Sequence, residues 1–194
     1  MPDAPRRVVL AEDETLILLD LREMLEEEGY EVVGEAGDGE AAVRLARELA
    51  PDVVVLDIKM PGVDGLAAAD RIWKERIAPV VMLTAFGQKE LVDEAAGAGA
   101  MGYLMKPFQK ADVVPAIELA MARYREARAL EDEVTDLTER LEARKLTDRA
   151  KGVLMDRYAM SETDAFRFIQ KTAMDRRMRM AEVARLLLEG SLEA

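Results

Sequence analysis

The sequence predicts a doubly wound α/β sandwich built on a five-stranded parallel sheet, followed by a small all-α domain. Three observations carry that expectation. Over the first 125 residues, short apolar runs alternate with amphipathic stretches, the pattern of βα units whose strands are buried on both faces. Four of those runs end in polar side chains: Val8-Val9-Leu10-Ala11 in Glu12 and Asp13, Val53-Val54-Val55-Leu56 in Asp57, Val80-Val81-Met82-Leu83 in Thr84, and Gly102-Tyr103-Leu104-Met105 in Lys106. After Pro115 the strand signal stops, and residues 116–156 hold no proline and one glycine, Gly152.

Taken in order, strands are expected near 7–11, 31–36, 53–57, 79–84 and 102–105, with helices near 15–28, 39–49, 65–76, 88–98 and from 111 onward. Gly29 suits the C-terminal end of the first helix and Asp64 the N-cap of the third. Right-handed crossovers restrict how five such units can be wound. Beyond Pro115, Leu130, Val134, Leu137 and Leu141 recur at heptad spacing, flanked by Glu131, Asp132, Glu133, Glu139 and Arg140. Such a stripe is either a short coiled coil or a solvated helix packing on its own domain. Ser161-Glu162-Thr163-Asp164 resembles a capping box with Asp in place of Glu or Gln. It opens a helix whose stripe is Ala165, Phe166, Ile169 and Ala173, and a third helix carries Met180, Val183, Ala184 and Leu187 before Gly190. The expected organisation is an α/β domain over 6–125, a helical coiled-coil linker over 126–145, and a three-helix domain over 137–190.

Composition narrows the chemistry. Half of the 194 residues are hydrophobic, enough for a real core. With no cysteine and no histidine, disulfides, the usual zinc ligands and the commonest general base are missing, so a triad hydrolase is not expected. No apolar stretch approaches the ~20 residues of a membrane span, and Met1–Arg7 lacks a signal-peptide apolar region. A cytoplasmic protein without a membrane partner is the expectation. The net charge of −12 is uneven: residues 1–125 carry 14 Lys/Arg against 24 Asp/Glu, while residues 144–185 carry 11 against 6. A basic island in an acidic chain suits a module with an anionic partner.

If the four runs are neighbouring parallel strands, Glu12, Asp13, Asp57, Thr84 and Lys106 meet at one sheet edge, where open α/β sheets hold ligands. Three acids that close repel unless a cation sits among them. Mg²⁺ suits carboxylate, water and phosphate oxygens. An Asp57 carboxylate can then attack a phosphoryl donor, with Lys106 offsetting charge and Thr84 donating a hydrogen bond to the phosphoryl group. Lacking histidine, the chain must take that group from another protein or a small donor.

These residues, with the Lys59-Met60-Pro61-Gly62 turn and Lys106-Pro107-Phe108, resemble a two-component receiver domain in order and spacing. The resemblance covers residues 6–125 and implies a flavodoxin-like fold. It implies Asp57 as phosphoacceptor and Mg²⁺ held by Asp13, Asp57 and the Lys59 backbone carbonyl, with Glu12 acting through water. It also implies Thr84 and Tyr103 as switch residues, and a sensor histidine kinase as partner. Phosphatases of similar fold pair the nucleophile with an Asp two residues on, where this chain has Lys59. No enzyme is expected beyond self-phosphorylation.

The basic residues of the tail are either a solvated helical face or a surface for phosphates and exposed bases. The segment Leu146 to Arg157, with its Ala150-Lys151-Gly152-Val153-Leu154-Met155 core, resembles the ANTAR domain, as do the later Ala165-Phe166, Ala173-Met174 and Val183-Ala184 pairs. That family is a three-helix RNA-binding module of transcription antiterminators. The resemblance implies RNA hairpins as ligand and a homodimer on phosphorylation. Lys151, Arg149, Arg144 and Lys145, then Arg157, Arg176, Arg177 and Arg179, are the expected RNA contacts. Ala150 and Gly152 leave room for RNA or a neighbouring helix. Leu154, Met155, Phe166, Ile169, Val183 and Leu187 are expected in the core, and Phe168 is open between core and base stacking. The function expected is a phosphorylation-controlled antiterminator. The alternatives are a DNA-binding response regulator and a regulator that binds a protein partner without nucleic acid.

Overall fold

A computed structural model describes residues 4–85 and 97–192. The helix expected near 88–98 falls almost wholly outside them. The chain divides into two compact units, Met1–Arg128 and Ala129–Ala194.

The first unit is a five-stranded parallel sheet of β1 (Arg7–Ala11), β2 (Glu31–Ala36), β3 (Val53–Asp57), β4 (Val80–Ala85) and β5 (Gly102–Lys106) in the order β2-β1-β3-β4-β5. This is the doubly wound arrangement whose switch point lies between β1 and β3, at their carboxyl ends. Strand alternation divides the core between the two faces. Val9, Val54, Val80 and Met82 face α2 (Gly39–Leu49) and α3 (Gly65–Lys74). Val8, Leu10, Val55, Val81 and Leu83 face α1 (Thr15–Glu27) and the opening turns of α4 (Lys110–Tyr158), where Val113, Ile117 and Ala120 are buried. β3 is buried at every position because it is the central strand.

The helix starts follow from local chemistry. Asp38 and Asp64 each accept a backbone N–H three residues on, at 2.8 Å, which satisfies one of the orphan donors of α2 and α3. Gly29 follows the end of α1 at φ +83°, the left-handed conformation that glycine adopts without strain. Gly65 opens α3 directly beneath the end of β3. A Cβ there would stand 1.9 Å from the Asp57 carbonyl oxygen, so only glycine lets the helix begin against the sheet edge that carries Asp57.

The second unit is three helices: the C-terminal part of α4, then α5 (Glu162–Arg176) and α6 (Met180–Leu188). Its core is Ala150, Leu154, Ala165, Ile169, Ala173, Val183, Ala184, Leu187 and Leu192. Two residues expected in it are not: Met155 is 41% and Phe166 43% exposed. The buried line of α5 runs through Ala165, Ile169 and Ala173 at four-residue steps, and Phe166 lies one residue, about 100°, round from it. Met155 stands in the same relation to the Ala150–Leu154 line. Phe168 is half-buried against the core. Ser161 accepts from the Asp164 N–H at 3.2 Å, but the short Asp164 side chain takes the Ser161 hydroxyl, 2.6 Å away, instead of reaching back to the backbone. In α6 the longer Glu182 does reach back and accepts the Arg179 N–H at 2.8 Å, a device not foreseen from the sequence.

Gly65→Ala is expected to cost about 2 kcal/mol or more through the clash with the β3 backbone. Gly37→Ala, with nothing within 4 Å of the added atom, should stay within about 0.5 kcal/mol of the parent. Urea unfolding of both variants checks the contrast.

Candidate functional site

The carboxyl ends of β1, β3, β4 and β5 bring Glu12, Asp13, Asp57, Thr84 and Lys106 to one edge of the sheet. Glu12, Asp57 and Thr84 are buried, while Asp13 is exposed. The three acids offer oxygens that all lie within 4.8 Å of one another. Lys106 Nζ lies 2.5 Å from Glu12 Oε2 and 3.3 Å from Asp57 Oδ1. Glu12 Oε2 is buried, yet receives no hydrogen bond of good geometry among the described residues. The Glu14 N–H donates to Glu12 Oε1 at 3.2 Å. Three carboxylates gathered around a single ammonium fit a hard divalent cation.

Electrostatics set the protonation. Burial, with the Glu12 charge adding to it, pushes the Asp57 carboxyl up from its ordinary 3.8 to about 6, against the pull of Lys106. Burial works to lower the Lys106 ammonium, but its close contact with Glu12 and the Asp57 and Glu12 charges outweigh it, and the group ends above the ordinary lysine value. Near neutral pH the edge therefore holds an ionised carboxylate facing a firmly charged ammonium.

The other expected residues are placed as follows. Among the described residues Thr84 Oγ1 donates only a long 3.4 Å bond to the Ala85 carbonyl, which leaves its hydroxyl weakly committed there. Lys59 lies exposed in the turn after β3. Tyr103 is 54% exposed on β5 and lines a groove of about 460 Å³ with Met105, Pro107 and Pro115. The Lys106–Pro107 peptide is cis.

In the helical unit the expected RNA contacts divide. Arg144, Lys145, Arg149, Arg157, Arg176, Arg177 and Arg179 are exposed. Arg177 closes α5 at φ +54°, and the following Met178 N–H bonds back to the Ala173 carbonyl at 2.9 Å, which brings Arg176, Arg177 and Arg179 together at the α5–α6 junction. Lys151 is different. Its side chain is 15% exposed and ion-pairs with both Asp148 and Glu162 at 2.8 Å. It ties α4 to α5. Ala150 is wholly buried and gives room to a neighbouring helix, whereas nothing stands within 4 Å of a Cβ added at Gly152. Arg185 and the exposed Phe166 share a groove with Arg144 and Arg179. Sequence reasoning did not single out this grouping, although the offset of Phe166 from its helical stripe carried the signal. Leu130, Val134, Leu137 and Leu141 are each more than half exposed, so the heptad stripe does not pack on the chain's own cores.

Because Asp57 takes up a proton more readily folded than unfolded, stability should fall as pH rises through the window from about 3.8 to about 6. In metal-free buffer above that window, Asp57→Asn is expected to stabilise the fold by about 1–3 kcal/mol, and below pH 4 the difference should vanish. Thermal melts of both proteins across pH read this directly.

Comparison with known proteins agrees with this geometry. Residues 8–118 match the response regulator receiver domain, and residues 135–188 match the ANTAR domain. The chain is 60% identical over 185 residues to the transcriptional regulatory protein PdtaR of Mycobacterium tuberculosis, covering 95% of this chain and 90% of that protein. It is 39% identical over 113 residues to the chemotaxis protein CheY of Thermotoga maritima, which covers 58% of this chain and 94% of that protein. Among solved structures, the receiver domain of a modulated diguanylate cyclase from Desulfovibrio desulfuricans superposes with a TM-score of 0.59 at 32% identity, over 63% of this chain and 98% of that one. The receiver domain of the putative response regulator NarL from M. tuberculosis gives 0.58 at 32% identity, over 61% and 97%. Both matched domains are regulatory modules rather than enzymes, and no helix among the described residues is long and apolar enough to cross a membrane. The chain belongs to the response regulators, with a receiver domain followed by an ANTAR domain.

Proposed function

We propose that this chain is a phosphorylation-controlled RNA-binding regulator that acts as a transcription antiterminator. One observation carries the reading: a buried, cation-ready aspartate at the sheet edge shares a chain with a domain matched to ANTAR. Asp57 is the phosphoacceptor. Its carboxylate attacks the phosphorus of a donor, a histidine kinase or an acyl phosphate, and the donor leaves with the bonding electrons. Mg²⁺, when bound, would be held by Asp13, Asp57 and the Lys59 carbonyl, with Glu12 acting through water, and would supply charge neutralisation at the phosphoryl oxygens. Lys106 then exchanges carboxylate partners for the phosphoryl group, and Thr84, whose hydroxyl is weakly committed, turns toward it. Tyr103, half exposed on the adjacent strand, follows Thr84. Such a charge event biases a two-state element.

The output is RNA hairpins bound by the basic helical unit. The exposed stripe Leu130, Val134, Leu137 and Leu141 pairs two copies, and a dimer presents two RNA-binding units. If both reach one twin-hairpin RNA, affinity rises by roughly 10²–10⁴ without new contacts.

Two measurements test this. Mg²⁺ is expected to raise the melting temperature of the wild type and to leave Asp13→Asn and Asp57→Asn nearly unmoved, because each loses a charged ligand; equal shifts in all three proteins would remove the cation from this site. Full-length protein should bind a twin-hairpin RNA pool in preference to duplex DNA, more tightly with Mg²⁺ and beryllium fluoride, and more weakly as salt rises. Asp57→Ala should keep RNA binding and lose the response to the mimic. A preference for DNA, or no nucleic-acid binding in either state, would overturn the reading.

A further inference from the structure

We propose that the groove beside Phe166 is the subsite for an unpaired RNA base, with the Phe166 ring as its stacking platform. The inference rests on the RNA-binding reading and adds to it a specific contact that discriminates loops from duplex.

The groove lies wholly within the helical unit and has a volume of about 790 Å³, within the range of clefts that enclose small ligands. Its apolar lining includes Leu146, Phe166 and Met180. Phe166 is 43% exposed although its neighbour Ala165 is fully buried. Among the described residues no second aromatic ring and no guanidinium stacks on it, since the ring pairs and the cation–π contact there are Trp73 with Tyr124 and Arg128 with Tyr124. A large apolar ring that lines a groove and is left nearly half exposed suits a flat partner.

Charge chooses the class of partner. Of the four carboxylates lining the groove, three are already engaged. Asp148 pairs with Lys151, Glu142 pairs with Lys145, and Glu182 accepts the backbone N–H that opens α6. The guanidinium groups of Arg179 and Arg185 have no carboxylate in ion-pair reach among the described residues, and Arg144 is 84% exposed with Asp148 only at the 4.0 Å margin. Uncommitted cations therefore rim an apolar floor. A nucleotide offers the matching halves, a π-face for the ring and a phosphate for the guanidinium groups. A paired base is stacked inside its helix and cannot reach the ring, so the occupant is a splayed loop base.

The test uses full-length protein and two RNA probes of equal length: a hairpin with 2-aminopurine at an unpaired loop position, and a fully paired duplex. Phe166→Ala is expected to weaken hairpin binding by about 5- to 150-fold, the range for one base stacked on an aromatic side chain. It should abolish the 2-aminopurine fluorescence change seen with wild type, leaving duplex binding and the salt dependence unchanged. Phe166→Leu, which keeps an apolar side chain and so protects the fold, should behave like the Ala variant, while Phe166→Trp should retain the signal. Wild-type hairpin affinity in both ring-less variants would overturn the subsite and leave the RNA-binding reading standing. Failure of the wild type to bind either RNA would bring down that reading and the subsite with it. Loss of self-association in sedimentation, with hairpin discrimination intact, would assign the groove to a protein interface and overturn the proposal.

Discussion

Two buried carboxylates sharing one ammonium is the constraint on which the receiver half depends. Glu12 and Asp57 end adjacent parallel strands, and the parallel register that buries Val9, Leu10, Val54 and Val55 also delivers the two acids side by side. Burying unpaired charge is expensive. Lys106 offsets part of the cost from β5, two strands away from β3, through contacts at 2.5 and 3.3 Å. The compensation is incomplete, since the Asp57 carboxyl is still pushed up to about 6 and a Glu12 oxygen still lacks a well-aligned donor. An edge that sets three carboxylates around one ammonium has the charge and the oxygens to hold a divalent cation.

Most of this was legible in the sequence because it sits on strands with short-range signatures. Residues such as Val53 to Leu56 could hardly be anything but a buried strand, and a parallel sheet leaves little choice over where their polar termini go. Asp64 before Gly65 likewise announced a helix start. What the sequence concealed was how closely Gly65 approaches the Asp57 carbonyl, a contact between two elements that no local pattern encodes. The double pairing of Lys151 was equally hidden, because Glu162 belongs to the next helix.

The helical half was harder to read for a physical reason. Its core uses alanine at Ala150, Ala165, Ala173 and Ala184, and small residues carry little hydrophobic signal although they set how closely helices pack. With so much of the buried stripe made of alanine, the larger neighbours Met155 and Phe166 looked like core when they are the exposed flank. Counting apolar bulk misassigned them; following the four-residue step from Ala165 to Ile169 to Ala173 places Phe166 outside.

That error bears on how the basic charge is used. A domain with so small a core leans on caps and ion pairs to hold its helices: Lys151 to Asp148 and Glu162, Glu182 to the Arg179 backbone, Ser161 at the head of α5. Cations committed in this way are poor candidates for a phosphate, since binding would have to break a bond that the fold uses. Among the described residues Arg179 and Arg185 hold no such commitment, and they line the same groove as the half-exposed Phe166. The net positive charge of the tail therefore overstates what is free to meet an anion. The available part is the subset of guanidinium groups that the small core did not recruit, and Arg179, just before α6, and Arg185, in its last turn, belong to it.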